Sequence, residues 1–136
     1  MRAPAFLTED ELSHIVIGVA LNVHSQLGPG LLENVYKKVL HYKLLKEGLS
    51  VELEKPMGIE IDDISLDLGY RIDLLVENKL VLELKSVKEI NDLHVAQTLN
   101  YLKLGRFKLG LILNSNVTQM KSGIRRVILT KDPRQF

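Results

Sequence analysis

The hydrophobic pattern of this chain changes period near residue 49, and that change divides the predicted elements into two kinds. Before it, apolar residues recur at helical spacing. Leu12, Ile15, Val19 and Val23 fall on one stripe, which predicts a helix from about residue 9 to 26. Thr8-Glu9-Asp10-Glu11 supplies a capping box: the threonine oxygen accepts from a backbone N–H three residues on and the glutamate reciprocates. Gly28-Pro29-Gly30 breaks this helix. A second is predicted from about 31 to 47, with Leu32, Val35, Val39 and Tyr42 as its stripe and Gly48 as its stop.

From Leu49 the period becomes two. Strands are predicted at about 50–55, 57–61, 65–76 and 80–87, with Asp62-Asp63 and Glu77-Asn78 as turns and Pro56 as a bend. A third helix follows from about 92 to 104, capped by Asn91 or Asp92 and ended by Gly105. Phe107 to Asn114 reads as a buried strand and Ile124 to Leu129 as a last one, while the tail KDPRQF is expected to fray. The order helix, helix, strands, helix, strand, strand predicts an α/β fold, a mixed central sheet flanked by helices.

Composition narrows the picture. The 136 residues fit one domain, spanning residues 1–136, with enough chain to bury a core. There is no cysteine, so disulfides and thiolate sites are excluded and a metal must be held by oxygen or imidazole. MRAPAFL is too short for a signal peptide, and the longest apolar run, Ile15 to Leu21, falls far below a membrane span. A cytoplasmic protein with no membrane partner is expected. Net charge is +1, yet residues 88–136 carry nine Lys and Arg against three acids, so the first 87 residues are net acidic. Such a division suits a metal site beside a phosphate-binding surface; segregation of solvated charges by chance reads the same way.

The densest chemistry lies in Tyr70 to Lys85, YRIDLLVENKLVLELK. Alternation puts Glu83 and Lys85 on one strand face and Leu82 and Leu84 on the other. If Glu77-Asn78-Lys79 form a three-residue loop, Val76 faces Leu80 and Asp73 faces Glu83. Two carboxylates and a lysine on one patch suit a divalent cation and a phosphate: Mg²⁺ takes oxygen ligands, and a lysine stabilises developing negative charge. A half-exposed strand with ordinary polar residues is the plainer reading.

Glu33 sits in the first turn of the second helix with Tyr36 three residues on. The helix dipole alone explains an acid there, at about 0.3–1 kcal/mol; a third acid facing the hairpin is the functional reading. Gln97 and Tyr101, spaced i, i+4, fall together on the third helix with His94, away from a Val95, Leu99, Leu102 stripe. No second histidine has ligand spacing to His94, and His14, His24 and His41 read as structural. Nucleophile-elbow, P-loop and dinucleotide-binding motifs are absent.

Taken together, Glu33, Asp73, Glu83-Leu84-Lys85 and Gln97 resemble the PD-(D/E)XK nuclease superfamily: an acid on a helix, Asp in one strand, Glu-x-Lys in the next, Gln on the following helix. More narrowly, Gly30-Leu31-Leu32-Glu33-Asn34-Val35-Tyr36 resembles the naming motif of the GxxExxY proteins, and similar blocks extend over roughly residues 15–129. The resemblance implies a restriction-endonuclease-like core with Asp73 and Glu83 as ligands of Mg²⁺ (or Mn²⁺) and Lys85 as the catalytic lysine. Glu33 and Gln97 join the catalytic set, with Tyr36 and Tyr101 supporting. Ile72 stands where the superfamily's name has proline. A nuclease acting on DNA or RNA is the expectation that follows. The alternatives are a non-catalytic nucleic-acid-binding module and a subunit acting as a homodimer or with a protein partner.

Overall fold

The computed structural model describes residues 3–130; the tail expected to fray lies outside the described residues. Its main elements are α1 (Glu9–Leu27), α2 (Glu33–Lys46), β1 (Val51–Ile61), β2 (Ile64–Val76), β3 (Leu80–Lys85), α3 (Asp92–Gly105), β4 (Leu109–Asn114) and β5 (Ile124–Ile128). The five strands form one mixed sheet in the order β1-β2-β3-β4-β5. All neighbours are antiparallel except β3 and β4, which run parallel because α3 carries the chain back across the sheet. The α/β class and the flanking helices are as the pattern of periods predicts.

Each face of the sheet has its own core. Leu12, Val16, Ala20 and Val23 of α1 and Tyr36, Leu40 and Leu44 of α2 pack with Leu74, Leu82, Leu84 and Leu111. On the other side Leu102 and Tyr101 of α3 pack with Leu75, Val81 and Ile112. The capping box of α1 forms as expected, with Thr8 Oγ1 accepting from Glu11 N at 3.1 Å. That of α3 pairs Asn91 with His94, so His94 is spent on the helix start.

Three readings of the pattern are corrected. The apolar stripe of α2 is Tyr36, Leu40 and Leu44, whereas Leu32, Val35 and Tyr42 face solvent. Both stripes have helical spacing, and only the direction from which the sheet approaches chooses between them. For the same reason α1 buries Val16 and Ala20, with Ile15 and Val19 at the margin. Finally, the two strands expected on either side of Pro56 are one strand. Its irregularities lie at Glu54, whose φ is +53°, and at a register shift between Met57 and Gly58.

Gly123 precedes β5 where the chain crosses the end of β4. A Cβ there would lie 2.3 Å from the Asn114 carbonyl oxygen. Gly123→Ala is expected to destabilise the protein by roughly 1–3 kcal/mol, as overpacking against fixed backbone does, measured by denaturant unfolding.

Candidate active site

The β2–β3 hairpin carries the first two site residues. Its loop is Glu77-Asn78-Lys79, with Glu77 and Asn78 at φ +50° and +54° and Val76 paired with Leu80. The register is the expected one, but pairing ends at Leu74 and Leu82, one step short of Asp73 and Glu83. There the strands part, and the Asp73 carboxylate fills the fork: Oδ2 accepts from the Leu84 backbone N at 2.8 Å. A side chain thus replaces the missing backbone acceptor. Asp73 and Glu83 are held beside each other by covalently joined, hydrogen-bonded strands.

Glu83 is buried, and its Oε1 has no hydrogen-bond partner. Burial, then the Asp73 charge and a shared hydrogen bond with Asp73, push its pKa up to about 9 against the lowering effect of Lys85. A buried polar atom without a partner is costly in a folded protein and points to an absent ligand. Two adjoining carboxylates suit Mg²⁺ or Mn²⁺, which take one or two carboxylates and leave other positions to water and substrate phosphate. Among the described residues no three Asp, Glu or His side chains gather into a ligand set, so those positions would fall to solvent and substrate.

Lys85 ends β3, and Asn114 fixes that end. The Asn114 side chain accepts from Val87 N at 3.1 Å and donates to Val87 O at 2.9 Å, clamping the chain just past Lys85. Glu33 is the first residue of α2 and projects toward the same site. Its pKa is raised by partial burial and by the Asp73 charge, with Lys85 and Lys37 opposing. On the α3 side, burial and the charges of Glu83 and Asp73 push the Tyr101 phenol up to about 12. Gln97, exposed, lies 3.4 Å from the Tyr101 hydroxyl. Glu33, Asp73, Glu83, Lys85 and Tyr101 therefore share one electrostatic neighbourhood, with Gln97 attached through Tyr101.

Tyr36 faces the α1–α2 packing. It is buried, and its hydroxyl donates to the Ala20 carbonyl at 2.9 Å, tying α2 to α1 and so setting where Glu33 begins. Tyr36→Phe is expected to cost about 1 kcal/mol in unfolding free energy, the net worth of one hydrogen bond, measured by denaturant unfolding.

Two residues of the site had no place in the sequence reading. Lys37 is buried on α2, and its Nζ lies 3.3 Å from Asp73 Oδ1 and 3.1 Å from Glu54 Oε1. Burial alone would lower its pKa, but the charges of and hydrogen bonds to Asp73 and Glu54 outweigh that and raise it. The available signal was a lysine next to Tyr36 on the stripe that turns inward. Glu54 reaches Lys37 from a left-handed backbone position in β1, which no local pattern announces.

A family model described as the PD-(D/E)XK nuclease superfamily matches residues 10–127, most of the chain and every residue of this site. The chain belongs to the PD-(D/E)XK nuclease superfamily. Its mixed sheet flanked by helices has the restriction-endonuclease-like arrangement. No curated protein matches the chain. A solved structure titled "Crystal structure of SSO0001" superposes with a TM-score of 0.45 at 16% identity, covering 91% of this chain and 81% of that one. That likeness is too loose to bear on function. Among the described residues no helix is long and apolar enough to cross a membrane.

Proposed function

We propose that this superfamily member is a nuclease dependent on Mg²⁺ or Mn²⁺ that hydrolyses phosphodiester bonds in nucleic acid. The observation that carries the proposal is Glu83: a buried carboxyl with an unpartnered oxygen, set beside Asp73 at a strand fork. Asp73 and Glu83 would hold the cation, whose contribution when bound is to polarise the phosphoryl oxygens and lower the pKa of water.

The rest falls to the chain. The Leu84 N–H, donated to Asp73 Oδ2, fixes one carboxylate, while the hairpin fixes the other. Lys85 places a positive charge on the Glu83 side of the sheet, where it can stabilise charge developing on a phosphate. Glu33, with its raised pKa, adds a carboxyl able to exchange a proton with the reacting water. Gln97 and Tyr101 supply neutral hydrogen-bonding groups on the opposite wall.

The narrower resemblance to the GxxExxY proteins gains a physical account on this reading. Gly30 stands at φ +89°, where only glycine is at ease, and turns the chain into α2. Glu33 opens that helix toward the carboxylates, and Tyr36 ties it to α1.

Titration of wild type and Glu83→Ala with Mg²⁺ and Mn²⁺ by calorimetry, with cleavage of DNA and RNA measured on the same samples, tests the proposal. Binding and cleavage in wild type, both lost in the variant, are expected. Folded wild type that binds neither ion and cleaves neither polymer would sink it.

A further inference from the structure

We propose that a cavity beside the carboxylates is a nucleobase subsite, and that the substrate is single-stranded nucleic acid with an unpaired base next to the scissile phosphate. The inference rests on the nuclease reading and names its substrate class.

The cavity, about 510 Å³, opens between α3 and the β1–β2 arm and is lined by Ile59, Tyr70, Leu93, Gln97, Asn100 and Tyr101 among others. Cavities of roughly 300–1,000 Å³ with apolar walls and a few placed polar groups hold small organic ligands. A nucleobase has matching chemistry: a flat face that stacks on aromatic rings and an edge that pairs with amides. Tyr70, half exposed, meets Tyr101 edge-on at 6.0 Å between ring centroids, so its ring is braced rather than free to swing. Gln97 and Asn100, three residues apart on α3, bring donors and acceptors to the same wall.

Position argues for a nucleotide in particular. Tyr101 lines the cavity, and its hydroxyl also feels the charges of Glu83 and Asp73. Tyr101 thus borders both the cavity and the carboxylates of the proposed site, so a base in the cavity and a phosphate at the carboxylates would lie on either side of one residue. A base stacked and paired in a duplex cannot enter without being flipped out. Stacking on an aromatic ring supplies affinity that an unpaired base can gain and a base held inside a duplex cannot.

Fluorescence anisotropy tests the subsite without cleavage. A short labelled single strand, the same strand with abasic positions, and the matching duplex are titrated with protein in Ca²⁺, using wild type, Tyr70→Ala and Tyr70→Phe. The intact single strand is expected to bind best. Tyr70→Ala should weaken it about tenfold and Tyr70→Phe restore it, while the abasic strand binds weakly and ignores the substitution. Equal binding of intact and abasic strands, indifference to Tyr70→Ala, tighter binding of duplex, or no binding of single strand would each overturn the subsite. Cleavage in Mg²⁺ and Mn²⁺ is read separately. Cleavage without base-dependent binding removes the subsite and leaves the nuclease reading standing; base-dependent binding without cleavage does the reverse.

Discussion

Glu83→Gln is expected to stabilise the metal-free protein in alkaline solution while abolishing its affinity for divalent cations. Glutamine keeps the shape of the side chain and removes the ionisable proton. In the folded wild type the Glu83 pKa is about 9, against 4.5 as its ordinary value. Between those limits the folded state holds a proton that the unfolded state has lost. A folded-state pKa raised in this way gives stability that is full below about pH 4.5 and is lost as pH rises through about 9. Its slope approaches about 1.4 kcal/mol per pH unit. The stability difference between variant and wild type should therefore widen from pH 5 to pH 9 in paired denaturant titrations. A difference independent of pH would contradict the environment described for Glu83. If the proposed site takes Mg²⁺, the same linkage should make that affinity climb with pH across this range, with proton release on binding visible in buffers of different ionisation enthalpy. Burial of a carboxyl beside a second one is a standing cost in the empty protein, which a cation at the proposed site would offset.

Lys37→Met is expected to be the most destabilising change near the site, at about 3 kcal/mol. Its ammonium is nearly buried against Asp73, and removing it leaves that carboxylate beside Glu83 without its nearest cation. Replacing both members is expected to cost much less than replacing one, because no uncompensated charge then remains. Thermal unfolding of Lys37→Met, Asp73→Asn and the double variant reads this directly. The double variant should recover most of the loss; strict additivity would mean that the two side chains do not act as a pair. Added Mg²⁺ should stabilise Lys37→Met by more than wild type, since the ion supplies the positive charge that the substitution removed.

Much of this architecture could be read along the chain. The switch of period near residue 49 separates α1 and α2 from the sheet. The Glu77-Asn78-Lys79 loop fixes the register that brings Asp73 beside Glu83, and Asn91 marks the start of α3. These features were legible because each depends on contacts within a few residues. The Asp73, Glu83, Lys85 grouping was legible too, since one hairpin carries the first two and alternation within one strand carries the third. Glu33 and Tyr101 could be offered from the chain only as candidates, one as a third acid facing the hairpin and the other on a polar helix face with Gln97, because no local rule says that two helices on opposite faces of a sheet approach the same fork.

What the sequence determined by itself was the class of fold, the hairpin and its acidic residues, all products of short-range periodicity and turn chemistry. Tertiary structure alone decided which of two helical stripes turned inward, leaving Leu32, Val35 and Tyr42 in solvent and drawing Lys37 in. It also decided that β2 and β3 part at Asp73, so that a carboxylate accepts a backbone N–H. The raised pKa of Glu83 belongs to the same class. The reason is common to all three. Burial and electrostatic coupling depend on what arrives from distant parts of the chain, and a pattern along the backbone carries no record of those distances.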